Sequence, residues 1–379
     1  RPAQVRTWAA RTKVSRVGRN ATRASRNRRP ILTTDGRSLW TTAPAQPNRR
    51  SRVEGFSAMK NTWTTSELTA DGSRRDSLTR RVTDGELVRL RRGAYGLATP
   101  LSERAAHLRL LTAHVATIAS DAVASHASAA LLHGLPVERR LLERAWVTRS
   151  SPLHGRTTST LHQFRGPLDP AIITLVDGIA CTSAARAAAE VASITSFPWA
   201  VAAWDALLHL GLATPFEIED ALASLGRRPG SAQARASARI ADGRAESALE
   251  SISRWQIARL GLPTPELQYT VRSGGRLLGR GDFAWPDYRL IGEADGASKY
   301  RDQAFDDRTA TQVILDEKRR EELFREEGWW LCRWDWATAH DPAALDRRIR
   351  SGLRHGAHLR PSSARPDVSN ADEPRPHAS

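Results

Sequence analysis

The sequence is poor in cysteine and methionine and has no long apolar run. Its 379 residues include 2 cysteines and 1 methionine, which is too few cysteines for a disulfide framework or a cysteine-based zinc site. No apolar segment approaches the roughly 18 residues of a membrane-spanning helix, and no signal-peptide pattern opens the chain. We therefore expect a reduced, cytoplasmic protein with no membrane partner.

Positive charge is concentrated in the first 58 residues. The net charge is +16, and this segment holds 14 basic residues against Asp35 and Glu54, so it carries 12 of those charges. It lacks apolar periodicity, and we expect a disordered basic tail over 1–58. Three interpretations stay open: translation that starts at Met59, a basic arm that binds nucleic acid, and a transit peptide. The scarcity of lysine beside arginine is typical of a GC-rich bacterial genome and argues against the transit peptide.

Residues 59–100 have the pattern of a winged helix-turn-helix domain. Thr64 or Thr65 caps a first helix with Glu67 near its N3 position, which is a capping-box pattern. A second helix follows, and alternating apolar and basic residues around Gly93 predict a two-stranded wing. One short helix fits the major groove of DNA while arginines meet phosphates; the alternative is a solvated basic face on a structural domain. The arginines expected to contact DNA are Arg74, Arg75, Arg80, Arg81, Arg89, Arg91 and Arg92.

Residues 101–243 are predicted to form a mixed, mainly helical region with a few strands. Ser102 caps a predicted helix, SHASAALLHGLP continues in helical character, and strand-like pieces precede an Ala-rich helical segment over 182–226. His126 and His133 lie about two helical turns apart. A shared metal site and simple packing both stay open for them, although no third ligand lies nearby in sequence.

Residues 244–354 carry the strongest chemical signal. The pattern predicts the element order α-β-β-β-α-β-α, with Asp282 on the second strand and Glu293 and Asp295 on the third. Positions two apart on a strand share a face, and three carboxylates that meet there need a cation to offset their repulsion. Hard oxygen ligands suit Mg²⁺ or Mn²⁺. We therefore expect a metal site of Asp282, Glu293 and Asp295; the alternative is that these are turn and capping residues.

GDFAWPDYRLIGEADG, with the later DEKRREELFREEGWWLCRW, resembles the very-short-patch-repair endonuclease superfamily within the PD-(D/E)XK nuclease fold. The resemblance implies that Asp282 binds the metal and that Glu250 is the acidic residue of the preceding helix. Asp295 stands at the position of the family's lysine, so Lys299 or Lys318 would replace that lysine. The catalytic candidates are then Asp282, Glu293, Asp295, Lys299, Lys318 and Glu250.

The front of the chain resembles a different family. LVRLRRGAYGLA followed by SHASAALLHGLP is similar to AbiEi-type antitoxin and regulator proteins of bacteria, which implies an N-terminal domain that binds operator DNA and a following region that binds a cognate toxin. The expected fold is multidomain α+β: a winged helix, a mainly helical middle region with a few strands, a C-terminal α/β restriction-endonuclease-like domain and a disordered tail over 355–379.

Two functions follow from these resemblances and patterns. The leading interpretation is a DNA-binding protein with a Mg²⁺-dependent DNA endonuclease domain, in a bacterial defence or toxin–antitoxin system. The alternative is a non-enzymatic antitoxin or transcriptional regulator with a catalytically degenerate nuclease fold.

Overall fold

The computed structural model describes residues 62–70, 74–116, 118, 121–151, 154–273, 275–296 and 310–359. These ranges form a mixed α/β fold with three sheets and belong to one compact unit, Thr42–Ser379. No helix within them is long and apolar enough to cross a membrane. The predicted tail over 1–58 and Lys299 lie outside the described residues.

The N-terminal elements form a small antiparallel sheet with two helices. They are β1 (Thr62–Thr64), α1 (Thr65–Ala70), α2 (Arg75–Thr83), β2 (Leu87–Arg91) and β3 (Ala94–Leu97), with strand order β1-β3-β2. The predicted capping box is confirmed: the Thr64 N–H donates to the Glu67 carboxylate at 2.6 Å, and the Thr64 hydroxyl accepts from the Glu67 N–H at 3.2 Å. Gly93 adopts a φ of 84° in the hairpin turn, a conformation that favours glycine. The small core beneath contains Leu68, Leu78 and Leu87.

The middle region is built on a six-stranded mixed sheet, with strand order β6-β7-β5-β4-β9-β8. Its strands are β4 (Val123–Ala124), β5 (Ala145–Arg149), β6 (Arg156–Thr157), β7 (Leu161–Arg165), β8 (Ile173–Val176) and β9 (Ile179–Thr182). Its helices are α3 (Glu103–Val115), α4 (His126–Leu132), α5 (Ala184–Ile194), α6 (Phe197–His209), α7 (Pro215–Ser224) and α8 (Ser231–Arg239). The predicted cap is confirmed, since the Ser102 hydroxyl accepts from the Ala105 N–H.

The region is mixed and mainly helical, as expected, and its short strands join in one sheet that the sequence pattern did not predict. β4 has 2 residues and pairs with both β5 and β9. A strand this short has almost no apolar alternation of its own, and its stability comes from partners that are distant in sequence. The local pattern could not reveal it.

The C-terminal region is a four-stranded sheet between helices. Its elements are α9 (Ala248–Arg259), β10 (Glu266–Ser273), β11 (Arg276–Trp285), β12 (Leu290–Ala294), α10 (Ala310–Glu326), β13 (Trp330–Trp334), α11 (Trp336–His340) and α12 (Pro342–His358). The strand order is β10-β11-β12-β13, antiparallel except for the parallel pair β12 and β13. The predicted element order is found, with α11 added. The last helix continues to His358 because Ile349, Leu353 and Ala357 extend one buried stripe, which corrects the expected start of a disordered tail at 355.

Two cores cover the two faces of this sheet. Phe283, Trp285 and Leu290 pack with residues of α9 and α12, whereas Ala284 and Ile291 pack with α10 on the other face. Neighbouring strand residues therefore serve opposite cores, as a sheet buried on both sides requires.

The C-terminal region is attached to the middle region through α6 and α9. Asp205 on α6 is fully buried and pairs with Arg254 on α9 at 2.9 Å. Burial raises the pKa of Asp205, and Arg254 offsets part of that rise. Trp199 stacks on Trp336 with ring centroids 5.8 Å apart. These contacts hold the two regions together.

Candidate functional site

Two of the expected metal ligands come from neighbouring strands. Asp282 lies on β11 and Glu293 on β12. Ala284 and Ile291, each two residues away on the same strand, pack in the core on the α10 side of the sheet. Because strand residues alternate between faces, both carboxylates belong to that side. One Asp282 oxygen accepts a hydrogen bond from the Ala294 N–H at 2.9 Å.

The Glu293 carboxylate is paired with two arginines. It is buried, and its Oε1 accepts from Arg320 Nη2 at 2.6 Å while its Oε2 accepts from Arg333 Nε at 3.0 Å. Arg333 also pairs with Glu321 at 2.9 Å and Glu317 at 3.2 Å. Burial lowers the pKa of Arg333, but the three glutamates outweigh burial and raise it. Arg320 and Arg333 therefore supply the positive charge that a metal ion would otherwise supply to Glu293.

The other candidates do not complete a metal centre. Asp295 follows the end of β12, where its N–H donates to the Trp334 carbonyl at 2.8 Å, and Lys318 is exposed on α10. Across the described part of the chain, no three His, Cys, Asp or Glu side chains are grouped so that they could hold a metal ion. The predicted cluster of Asp282, Glu293 and Asp295 is therefore not assembled there. The donor set does not fit a divalent cation, because both Glu293 oxygens already accept from arginines.

Glu250 is held by amide donors. It is buried on α9, and its Oε2 accepts from the Glu246 N–H at 2.9 Å and from the Gln268 side-chain amide at 2.8 Å. Gln268 has a φ of 54°, a left-handed conformation that costs free energy for a residue other than glycine. Glu246 in turn pairs with Arg280 at 2.8 Å. Glu250 thus joins the start of α9 to the β10–β11 hairpin.

Of the arginines predicted to contact DNA, those with described side chains fall into three groups. Those that are exposed are Arg74, Arg80, Arg89 and Arg92. Arg81 pairs with Glu86 at 3.0 Å, which leaves it partly neutralised. Arg91 is half-buried, and its pKa is lowered by burial and by Arg156. Its guanidinium has a buried nitrogen, Nη1, so Arg91 is poorly placed for a phosphate contact. The side chain of Arg75 lies outside the described residues.

The middle region holds a buried polar cluster that the sequence pattern did not predict. Glu190 accepts from the His126 N–H at 3.0 Å and from Arg186 Nε at 2.7 Å. Burial raises the pKa of Glu190, but the charge of Arg186 and the hydrogen bond from the His126 backbone N–H outweigh burial and lower it. Burial also lowers the pKa of His126 to about 4, so its imidazole is neutral and stacks on Phe164 with centroids 3.9 Å apart. In the sequence, this ion pair could have been predicted from the i, i+4 spacing of Arg186 and Glu190 in an Ala-rich helix.

These contacts decide between the two interpretations of His126 and His133. His133 Nε2 donates to the backbone carbonyl of Thr182 in β9 at 2.7 Å, and the His126 backbone N–H donates to Glu190. Both histidines pack within the fold and do not share a metal site.

The chain is similar to two proteins of Mycobacterium tuberculosis. They are Uncharacterized protein MT2308 of strain CDC 1551 / Oshkosh and Uncharacterized protein Rv2248 of strain ATCC 25618 / H37Rv. Each is 35% identical over 260 residues, which cover 67% of this chain and 88% of the relative. No family model matches the chain.

Proposed function

This chain belongs to the family of those two mycobacterial proteins, and we propose that it is a DNA-binding regulator whose C-terminal domain is a nuclease-type fold used as a scaffold. The pairing of Glu293 with Arg320 and Arg333 carries the scaffold part of the proposal. The N-terminal helices and hairpin, taken as a winged helix, carry the DNA-binding part.

The arrangement of basic residues supports DNA binding by the N-terminal elements. Arg74 directly precedes α2, and Arg80 lies in its last turn. Arg89 lies on β2, and Arg92 lies in the turn of the hairpin. All four are exposed. A helix of 9 residues fits the major groove while the hairpin arginines reach phosphates.

The charges around Glu293 support a scaffold over a nuclease. For a divalent cation to bind Glu293, the carboxylate would have to leave Arg320 and Arg333. Removal of one partner from a buried ion pair leaves the other charge poorly compensated. This cost supports a scaffold in which the arginines take the place of a metal at Glu293. The α-β-β-β-α-β order and mixed sheet of the C-terminal region support the nuclease-type framework that this proposal assumes.

The DNA-binding part is tested by the salt dependence of affinity for a labelled mixed-sequence duplex, measured by fluorescence anisotropy on the full chain. The variant R80Q/R89Q removes two exposed charges, and R227Q/R239Q is the matched control because Arg227 and Arg239 are also exposed. Removing one arginine from a phosphate lowers the salt slope by about 0.9, so we expect a change of about 1.8 in R80Q/R89Q. Equal slopes in the two variants would contradict duplex binding by these elements.

A second candidate function is a Mg²⁺- or Mn²⁺-dependent DNA endonuclease. The observation that favours it is the position of Asp282 and Glu293 on neighbouring strands of one sheet face. The scaffold proposal expects no metal-dependent cleavage of supercoiled, linear or single-stranded DNA by the wild-type chain, and no change in thermal midpoint with Mg²⁺. Cleavage that D282N abolishes while R227Q/R239Q retains it would replace the scaffold by the endonuclease. A rise in midpoint with Mg²⁺ that D282N removes would establish the metal site by linkage.

The resemblance to AbiEi-type regulators adds a protein partner to the proposal, a cognate toxin. Growth inhibition by a candidate toxin encoded beside the gene, relieved when this chain is co-expressed, is the expected result. Failure of relief for every adjacent gene would remove the antitoxin role and leave the DNA-binding regulator.

A further inference from the structure

An open groove lies between β13 and α12, and neither Asp282 nor Glu293 lines it. β13 is an edge strand of the four-stranded sheet, and α12 runs beside it. The groove has a volume of about 980 Å³. Its floor includes Trp330 of β13, and its helical wall includes Ser351 and His355.

The groove carries positive charge that nearby acidic residues offset only in part. Arg347, Arg348 and Arg354 line it on the helix side and are exposed. None of the three forms a salt bridge with a residue that the structure describes. Arg348 interacts electrostatically with Asp335, which is not part of the groove lining. Asp346 is the acidic residue among the described groove lining, and it pairs with Arg350 at 3.0 Å. The surface therefore suits a polyanion.

The spacing of these charges along the helix suits a repeating anion. Arg347 and Arg354 are seven residues apart, which is about two helical turns and roughly 10 Å along the axis. Both line the same groove. Side chains as long as arginine can thus reach successive phosphates of one extended strand.

An aromatic surface lies beside those charges. The rings of Trp330 and His355 stack with centroids 4.8 Å apart and an interplanar angle of 15°. His355 is exposed, and its Nδ1–H donates to the Ser351 carbonyl at 2.7 Å, which fixes the ring. Aromatic faces next to arginines form the usual platform for unpaired bases.

We propose that this groove binds single-stranded nucleic acid, with Arg347 and Arg354 on phosphates and a base stacked on His355. A single strand is required because the bases of a duplex are already stacked on each other. An acidic peptide would use the arginines but would gain nothing from the Trp330–His355 pair. The proposal is independent of duplex binding by the N-terminal elements and of chemistry at Asp282.

The charge contribution is tested on the full chain with labelled oligothymidylate and oligouridylate. R347Q/R354Q is compared with R227Q/R239Q, which removes equal charge from exposed sites elsewhere. Removing two arginines from the phosphates of a single strand lowers the salt slope by about 1.4, and the control stays at the wild-type slope. Equal effects of the two variants on both oligonucleotides would overturn the proposal. A response to one oligonucleotide alone would identify DNA or RNA as the ligand.

Stacking is tested at His355. H355A is expected to lower affinity roughly 5-fold or more, the lower limit for removal of one base–aromatic stack. H355F keeps a ring and should retain most of the affinity. Ultraviolet crosslinking of oligothymidylate should map to the peptides that contain Trp330 or His355. Equal losses in H355A and H355F, or crosslinks confined to other peptides, would overturn the stacked arrangement and with it the proposal.

Two further measurements separate this groove from other surfaces. R80Q/R89Q and D282N should bind oligothymidylate as the wild type does, so failure of the proposed function would leave this result intact. Polyglutamate should displace the oligonucleotide only weakly. If polyglutamate binds with an affinity equal to that of the oligonucleotide, and R347Q/R354Q loses both, the groove is a site for an acidic protein segment and the nucleic-acid proposal is wrong.

Discussion

His107 offers a sharp test of how the middle region is held together, because its proton position is dictated by its neighbours. It is 1% exposed on α3. Its Nδ1 lies 2.9 Å from the Leu142 carbonyl, and its Nε2 lies 2.8 Å from the Ser128 hydroxyl. A carbonyl oxygen can only accept, so Nδ1 carries the proton and Nε2 accepts from Ser128. The Ser128 oxygen also accepts from the Trp146 N–H at 2.8 Å, which completes the network around a neutral imidazole.

Acid should therefore destabilise the fold through His107. Burial lowers its pKa from 6.5 to about 4, against the hydrogen bond to Leu142 that raises it. The pKa of His107 is lower in the folded state than in the unfolded state. The stabilisation by neutral His107 is therefore fully present above pH 6.5 and is lost as pH falls towards 4. At about 1.4 kcal/mol per pKa unit the total is about 3 kcal/mol, of which about 2 kcal/mol is lost between pH 7 and pH 5.

The substitution H107Q removes this titration while it keeps one donor and one acceptor. Its loss of unfolding free energy between pH 7 and pH 5 should be smaller than that of the wild type by about 2 kcal/mol. Urea denaturation followed by circular dichroism at both pH values measures the difference. H358Q, at an exposed histidine at the end of α12, is the control and should keep the wild-type pH dependence. An H107Q variant with that same dependence would refute the assignment of a buried neutral imidazole.

Three further substitutions test packing and charge, each by thermal and urea denaturation. A Cβ at Gly356 would lie 2.1 Å from the Tyr288 carbonyl oxygen, so G356A should lower stability by about 2 kcal/mol despite better helix propensity; a neutral or stabilising effect would contradict this packing. D205A should cost about 3 kcal/mol because it leaves Arg254 without its buried partner, and an unchanged midpoint would mean that the ion pair does not hold the two regions together. E293Q should cost about 2 kcal/mol, since two arginines lose a charged partner; a gain in stability would indicate that the site is strained without a metal.

Local chemistry was sufficient to predict much of the secondary structure. The Thr64–Glu67 capping box and the hairpin turn at Gly93 depend on residues within a few positions of one another. The same holds for the C-terminal element order, in which apolar periodicity and turn residues mark each segment. These features need no knowledge of what the segment packs against.

The six-stranded sheet and the state of the acidic site depended on distant partners. β4 forms between β5 and β9, and its two residues have no local pattern that predicts a strand. Glu293 meets Arg320, 27 residues away, and Arg333, 40 residues away. The sequence pattern therefore predicted crowded carboxylates in need of a metal, whereas packing brought two arginines to the same oxygens.

The same distinction applies to the basic surfaces. The sequence by itself determined that arginines are abundant on α2, the hairpin and α12, and that each of these elements would form. Tertiary structure decided that Arg91 turns towards the body of the protein and that Arg347 and Arg354 share a groove with the Trp330–His355 pair. The reason is physical: backbone conformation responds to neighbouring residues, whereas burial and ion pairing are set by whichever segments the folded chain brings into contact.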